Sequence, residues 1–217
     1  MNKKKRNILI STILILLAIV FTILVKVVDV KTIGVNESKI GFATLNQFVF
    51  EAVGVNMTWY HITDWLGIIP ILMAMIYALM GVIQLIKRRS ILKVDKELII
   101  LGLFYIIVMF IYVFFEKIIV NYRPVLMNGF LEASYPSSHT LITICLCGSS
   151  IIINNKLFNN RTTKITNILS AIIIVTTVVG RLISGVHWFT DIIGGILISI
   201  ALLMTLYTLI YSLKSKK

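Results

Sequence analysis

Residues 181–191 read Arg-Leu-Ile-Ser-Gly-Val-His-Trp-Phe-Thr-Asp, placing Arg181, His187 and Asp191 at the seam between two apolar runs. Three such residues buried unpaired in hydrocarbon are costly, so they either face water together or act together. His187 and Asp191 are four apart, a spacing that on a helix puts both on one face. A carboxylate there accepts a bond from one imidazole nitrogen and leaves the other free as base or nucleophile. A histidine merely satisfied by its neighbour at a membrane surface has the same spacing.

Two further clusters carry similar chemistry. Tyr-Pro-Ser-Ser-His-Thr, 135–140, opens an apolar run. Pro136 suits a first helical turn, so the N–H groups of Ser137, Ser138 and His139 are expected to point out of the helix start, where the dipole favours an anion. Pro-Ser-Ser alone also describes a plain capped helix start, and His139 in the same turn adds an acid or base. Lys-Ile-Ile-Val-Asn-Tyr-Arg-Pro, 117–124, closes the preceding run. Lys117 by itself reads as a snorkelling anchor. Arg123 carries a fork that matches phosphate oxygens bidentately, and Arg181 repeats it. Two arginines, a lysine and a helix N-terminus describe a pocket for a multiply charged oxyanion. Two histidines and an aspartate describe phosphoryl transfer without a metal. No carboxylate cluster accompanies them to hold magnesium, and no cofactor is implied.

These residues need elements to bring them together, and the elements are helices across a membrane. The chain is 58% hydrophobic and 14% charged, with a mean hydropathy of +0.96. Apolar runs at 8–25, 65–86, 98–115, 138–153, 165–179 and 192–213 predict six transmembrane helices. Continuous runs of this kind exclude barrel strands. The expected fold is all-α: a six-transmembrane-helix bundle forming one membrane-embedded domain over 1–217. Between the first two spans, Phe42, Leu45, Phe48, Val49 and Ala52 recur at helical spacing. They predict an amphipathic helix on the outer membrane surface, with Trp59, Tyr60 and Trp65 as interfacial anchors. His61 there reads as an ordinary interfacial histidine. Cys145 and Cys147, two apart on one helix, read as packing residues.

The net charge of +12 is segregated rather than spread. Residues 3–6, 87–96, 156–164 and 214–217 carry 15 of the 21 Lys and Arg, whereas seven of the nine acidic residues fall in the other connections. The positive-inside rule then places both termini in the cytoplasm and Lys117, Arg123, His139, Arg181, His187 and Asp191 on the outer side. Such alternation is a membrane-topology signature and not a nucleic-acid footprint. The first apolar stretch is longer than a signal core and is followed by no small-x-small site, so a retained helix is expected.

The three blocks resemble those of the type 2 phosphatidic acid phosphatases (PAP2), which share their site with vanadium haloperoxidases. That family carries Lys, six residues, then Arg-Pro; Pro-Ser-Gly-His; and Ser-Arg, five residues, His, three residues, Asp. Here they stand as KIIVNYRP, PSSH and GRLISGVHWFTD, in the same order. The resemblance implies that His187 attacks phosphorus to form a phosphohistidine, with Asp191 orienting it. His139 would protonate the leaving group and then activate water. Lys117, Arg123, Ser137, Ser138 and Arg181 would hold the phosphoryl oxygens. Three departures stand out. Five residues, not six, separate Lys117 from Arg123, which turns a helical lysine by about 100°. Ser138 replaces the usual glycine, and Gly180 the usual serine.

The implied activity is a metal-independent lipid phosphatase in the cell membrane, with its site on the extracytoplasmic side. Its partner is a membrane lipid substrate: undecaprenyl diphosphate, phosphatidylglycerophosphate or phosphatidate. A lipid phosphotransferase on the same scaffold uses the same motifs. A non-catalytic headgroup transporter would place ionisable residues at mid-helix depth, where this chain has almost none. The pattern specifies no oligomeric state.

Overall fold

Among the described residues there are eight α-helices, seven of which make the six spans. The computed structural model describes residues 2–158 and 160–213, so the basic tail at 214–217 lies outside the described residues. The helices are α1 (Lys3–Val27), α2 (Ala43–Val53), α3 (Met57–Leu66), α4 (Ile68–Arg88), α5 (Lys96–Lys117), α6 (Ser138–Leu157), α7 (Arg161–Ser184) and α8 (Phe189–Ser212). Asparagine side chains cap three starts: Asn2, Asn56 and Asn160 accept from the backbone N–H groups of Lys4, Trp59 and Thr163. Six helical units are long and apolar enough to cross a membrane, with Met57–Arg88 counting as one. The chain is a multi-pass membrane protein.

The bundle is organised around α6. Its most apolar stretch is 67% buried, against 11% for Met57–Arg88 and 17% for α1. It packs on α7 and α8, and α1 packs on α8. The buried positions of α6 are mostly small, including Thr140, Thr143, Cys145, Cys147, Gly148, Ser149 and Ser150. Lipid offers no hydrophobic drive between helices, so close approach of small residues supplies the packing. Both cysteines are buried and unbonded. The outer helices turn large apolar side chains away from the protein, as Ile76, Phe110 and Ile168 show.

Two sequence expectations change here. The second span begins at Met57, eight residues earlier than the apolar run suggested, because α3 runs into α4 at Gly67. Of the three expected interfacial anchors, Trp59 and Tyr60 are half-buried against α7: a Cβ on Gly180 would lie 3.0 Å from the Trp59 ring, and Arg181 sits 4.9 Å over the Tyr60 ring. Trp65 is 74% exposed and remains free for that role. The amphipathic helix is present as α2. Leu45 and Phe48 are uncovered, while buried Asn46 donates to Thr190 and accepts from its N–H, fastening α2 to α8.

Candidate active site

The C-terminal ends of α5 and α7 and the N-terminal ends of α6 and α8 meet at one end of the bundle. The connection from α5 to α6 is held as a short antiparallel loop: Arg123 N–H donates to Glu132 O and Ser134 N–H to Asn121 O. The Trp188 indole N–H, donating to Tyr122 O at 2.7 Å, fixes the loop to the start of α8. This pairing carries Asn121, Arg123 and Ser134 to the histidines.

His187 lies just before α8, in the tight connection after Gly185, whose φ of +64° suits glycine. The helical i,i+4 relation with Asp191 therefore does not hold, and no direct bond joins the two. Ser134 stands between them. Its hydroxyl donates to Asp191 Oδ2 and lies 3.0 Å from His187 Nδ1. Its backbone carbonyl lies 3.1 Å from the same nitrogen. A carbonyl only accepts, and the hydroxyl proton is committed to Asp191, so Nδ1 carries the hydrogen. Nε2 then holds the lone pair, and it is buried with no protein partner among the described residues. Burial, reinforced by the charges of Arg123 and Arg181, pushes the His187 imidazole well below its usual range. The ring is held neutral, with an unshared lone pair on Nε2.

Asp191 is fully buried and accepts three bonds, from Ser134 Oγ, from Asn121 Nδ2 at 3.1 Å and from the Trp188 N–H at 3.0 Å. The last is a capping contact at the start of α8, where a carboxylate also meets the helix dipole. The Asp191 carbonyl in turn accepts from the Ser137 N–H at 2.9 Å. Contrary to the sequence expectation, that amide is thus unavailable to an anion, while those of Ser138 and His139 are left in the first turn of α6. The Ser137 hydroxyl is fully buried and accepts from Thr140 Oγ1, which leaves its own proton to donate.

Both arginines are buried here. Arg181 has no exposed surface, stacks over the Tyr60 ring at 4.9 Å and reaches Asp64 at 3.4 Å. Arg123 pairs with Glu132 at 3.2 Å. Arg181 keeps Nε and Nη1, and Arg123 keeps Nη1, buried without a hydrogen-bond partner among the described residues, as does His139 at Nδ1. Unsatisfied charged donors of this kind are expensive, and the arrangement could hold an oxyanion. Lys117 is different: it ends α5, is exposed, and makes no ion pair or hydrogen bond among the described residues.

Asp64, Ser134 and Asn121 were not expected from the sequence. Asp64 Oδ1 is 2.9 Å from His139 Nε2. A cleft of about 170 Å³ reaches this pair past Ile68, Ile71, Tyr112 and Ile142. A narrower one reaches His187 beside Phe115 and Tyr135. Among the described residues, no group of three or more His, Cys, Asp or Glu is arranged to hold a metal ion.

The PAP2 superfamily model matches residues 97–215, more than half of the chain. The fold is similar to a crystal structure of a transmembrane PAP2 type phosphatidylglycerolphosphate phosphatase from Bacillus subtilis, with a TM-score of 0.65 over 95% of this chain and 98% of that one. Identity is 16%, so the likeness concerns the fold. No curated protein sequence matches.

Proposed function

The chain belongs to the PAP2 superfamily, and we propose that it is an integral-membrane lipid phosphatase working through a phosphohistidine. The observation that carries this reading is the convergence of Arg123, Arg181, His139 and His187, all with buried polar atoms lacking protein partners. In the proposed reaction, His187 Nε2 attacks phosphorus as the bond to the leaving oxygen breaks, and His139 gives that oxygen a proton. A water then attacks the phosphohistidine, passing its proton back to His139, and phosphate leaves. The guanidinium groups, the Ser137 hydroxyl and the N–H groups of Ser138 and His139 would stabilise charge on the equatorial oxygens. Asp191, acting through Ser134, would stabilise the cationic ring. Lys117, exposed at the end of α5, contributes attraction rather than contact in this reading.

The substrate class is a lipid phosphomonoester or diphosphate: phosphatidylglycerophosphate, as the structural neighbour's description suggests, undecaprenyl diphosphate or phosphatidate. The clefts open among apolar side chains, which suits a lipid substrate. Charge segregation supports cytoplasmic termini and an extracytoplasmic site, within one membrane-embedded domain over 1–217. The test is phosphate release by the purified protein from a panel of these lipids, in EDTA and without added metal. Turnover, inhibition by vanadate and complete loss in His187→Ala are expected. Activity that vanished in EDTA and returned with magnesium would overturn the mechanism.

A further inference from the structure

We propose that Asp64 is a positioning residue that holds the general acid, fixing which nitrogen of His139 handles the proton in both half-reactions. A carboxylate only accepts, so its contact with Nε2 at 2.9 Å assigns a hydrogen to that nitrogen. Nδ1 is left as the working atom, and it is the one that is buried without a partner. In the first half-reaction Nδ1–H gives its proton to the leaving oxygen while the phosphorus–nitrogen bond to His187 forms. The ring is then neutral, with Nε2–H still on Asp64 and a lone pair on Nδ1. In the second half-reaction that lone pair takes a proton from water as the oxygen–phosphorus bond forms and the phosphorus–nitrogen bond breaks. The two histidines are thus held at opposite nitrogens, His187 at Nδ1 by Ser134 and His139 at Nε2 by Asp64.

Asp64 arrives from outside the segment that the family model matches. What brings it in is the contact of α3 with α7 at Gly180. A Cβ there would fall 2.4 Å from Thr63 Cγ2 and 3.0 Å from the Trp59 ring. A serine, the residue usual in the family's third block, would push α3 away. The departure at 180 and the carboxylate at 64 are two sides of one contact. The same Oδ1 also faces Arg181 at 3.4 Å, so one oxygen ties the acid to the phosphate-holding arginine. The carboxylate is 46% exposed, which leaves it able to take substitution without collapse of the bundle.

The proposal rests on His139 being the general acid, and the experiment separates the two. The burst of leaving-group release in the first half-reaction, before the water step that both substrates share, is measured for Asp64→Ala, Asp64→Asn and His139→Ala on phosphatidate and on p-nitrophenyl phosphate, whose acidic leaving group needs little protonation. General acid help is worth about 10²–10⁴-fold on a poor leaving group. Loss of its orienting group should then lower the burst rate on phosphatidate by about 10- to 100-fold in Asp64→Ala. The expected loss on p-nitrophenyl phosphate is under about 3-fold, with KM little changed. Asp64→Asn keeps an acceptor for Nε2–H and should fall between Asp64→Ala and the wild type. If His139→Ala shows the leaving-group split and Asp64→Ala loses both substrates alike, Asp64 has a structural role only. Preserved kcat with tighter inhibition by inorganic phosphate would mean that Asp64 competes for Arg181, which also overturns the proposal. Equal losses on both substrates in His139→Ala would instead refute the general-acid assignment itself.

Discussion

Replacing Ser134 with alanine removes the hydroxyl that links Asp191 to His187 and leaves the backbone carbonyl in place. Asp191 then keeps two of its three donors, Asn121 Nδ2 and the Trp188 N–H. His187 Nδ1 keeps the Ser134 carbonyl at 3.1 Å, so its tautomer is preserved. The lost contact is one hydrogen bond to a charged group, worth about 1.5–3 kcal/mol. Expressed wholly in the transition state, that range corresponds to a fall in kcat of about 10- to 150-fold. Because the defect lies on the nucleophile's side, phosphatidate and p-nitrophenyl phosphate should lose rate alike, with KM little changed. Phosphate release in detergent micelles measures the rates, and thermal unfolding of the same samples reports the fold. Undiminished kcat would show that Asp191 acts on His187 without the hydroxyl. Loss as complete as in His187→Ala would show that the carbonyl alone does not hold the ring.

Orientation is testable by cysteine labelling of intact cells with an impermeant reagent, after Cys145 and Cys147 have been replaced. Asn128→Cys, in the exposed loop between α5 and α6, should be modified, and Leu92→Cys, 88% exposed between α4 and α5, should be protected. The reverse pattern would invert the membrane topology. Two glycines on packed helices should respond differently to alanine. At Gly194 the new Cβ would lie 2.3 Å from the Tyr135 ring, whose hydroxyl is tied to Thr22 at 2.8 Å, so a loss of about 1–3 kcal/mol is expected. At Gly148 it meets the flexible end of Leu203 at 2.4 Å. There, helix propensity gains close to 1 kcal/mol, so stability should change little. Melting curves that ranked the two the other way would contradict this reading of the packing.

The sequence made the spans and three site blocks legible because both signals are local. Hydropathy over a turn-rich distance marks each helix, and Arg181, His187 and Asp191 lie within one short stretch. What it did not disclose depends on contacts between distant segments. Asp64 sits in a connection that looked interfacial, and only the glycine at 180 hinted that another helix approaches there. Ser134 belongs to no block and Asn121 is an unassigned position within the first, and the pairing of their backbone segments sets them beside Asp191. The His187–Asp191 spacing suggested a shared helical face, but α8 starts at Phe189, two residues too late for His187 to join it. Lys117 showed its misfit through the short spacing to Arg123, and the structure leaves it at the surface of the site end.

The concentration of small buried side chains in α6 also bears on how sequences of this architecture drift. The outward faces of its neighbours need only stay apolar, since Ile76, Phe110 and Ile168 are mostly exposed and no packed partner reads their shape. Substitution there is nearly free, whereas Cys145, Cys147 and Ser149 are fully buried and an added methylene there meets a neighbouring helix. Most of the chain can therefore be rewritten while the central helix keeps the two histidine-bearing ends in register.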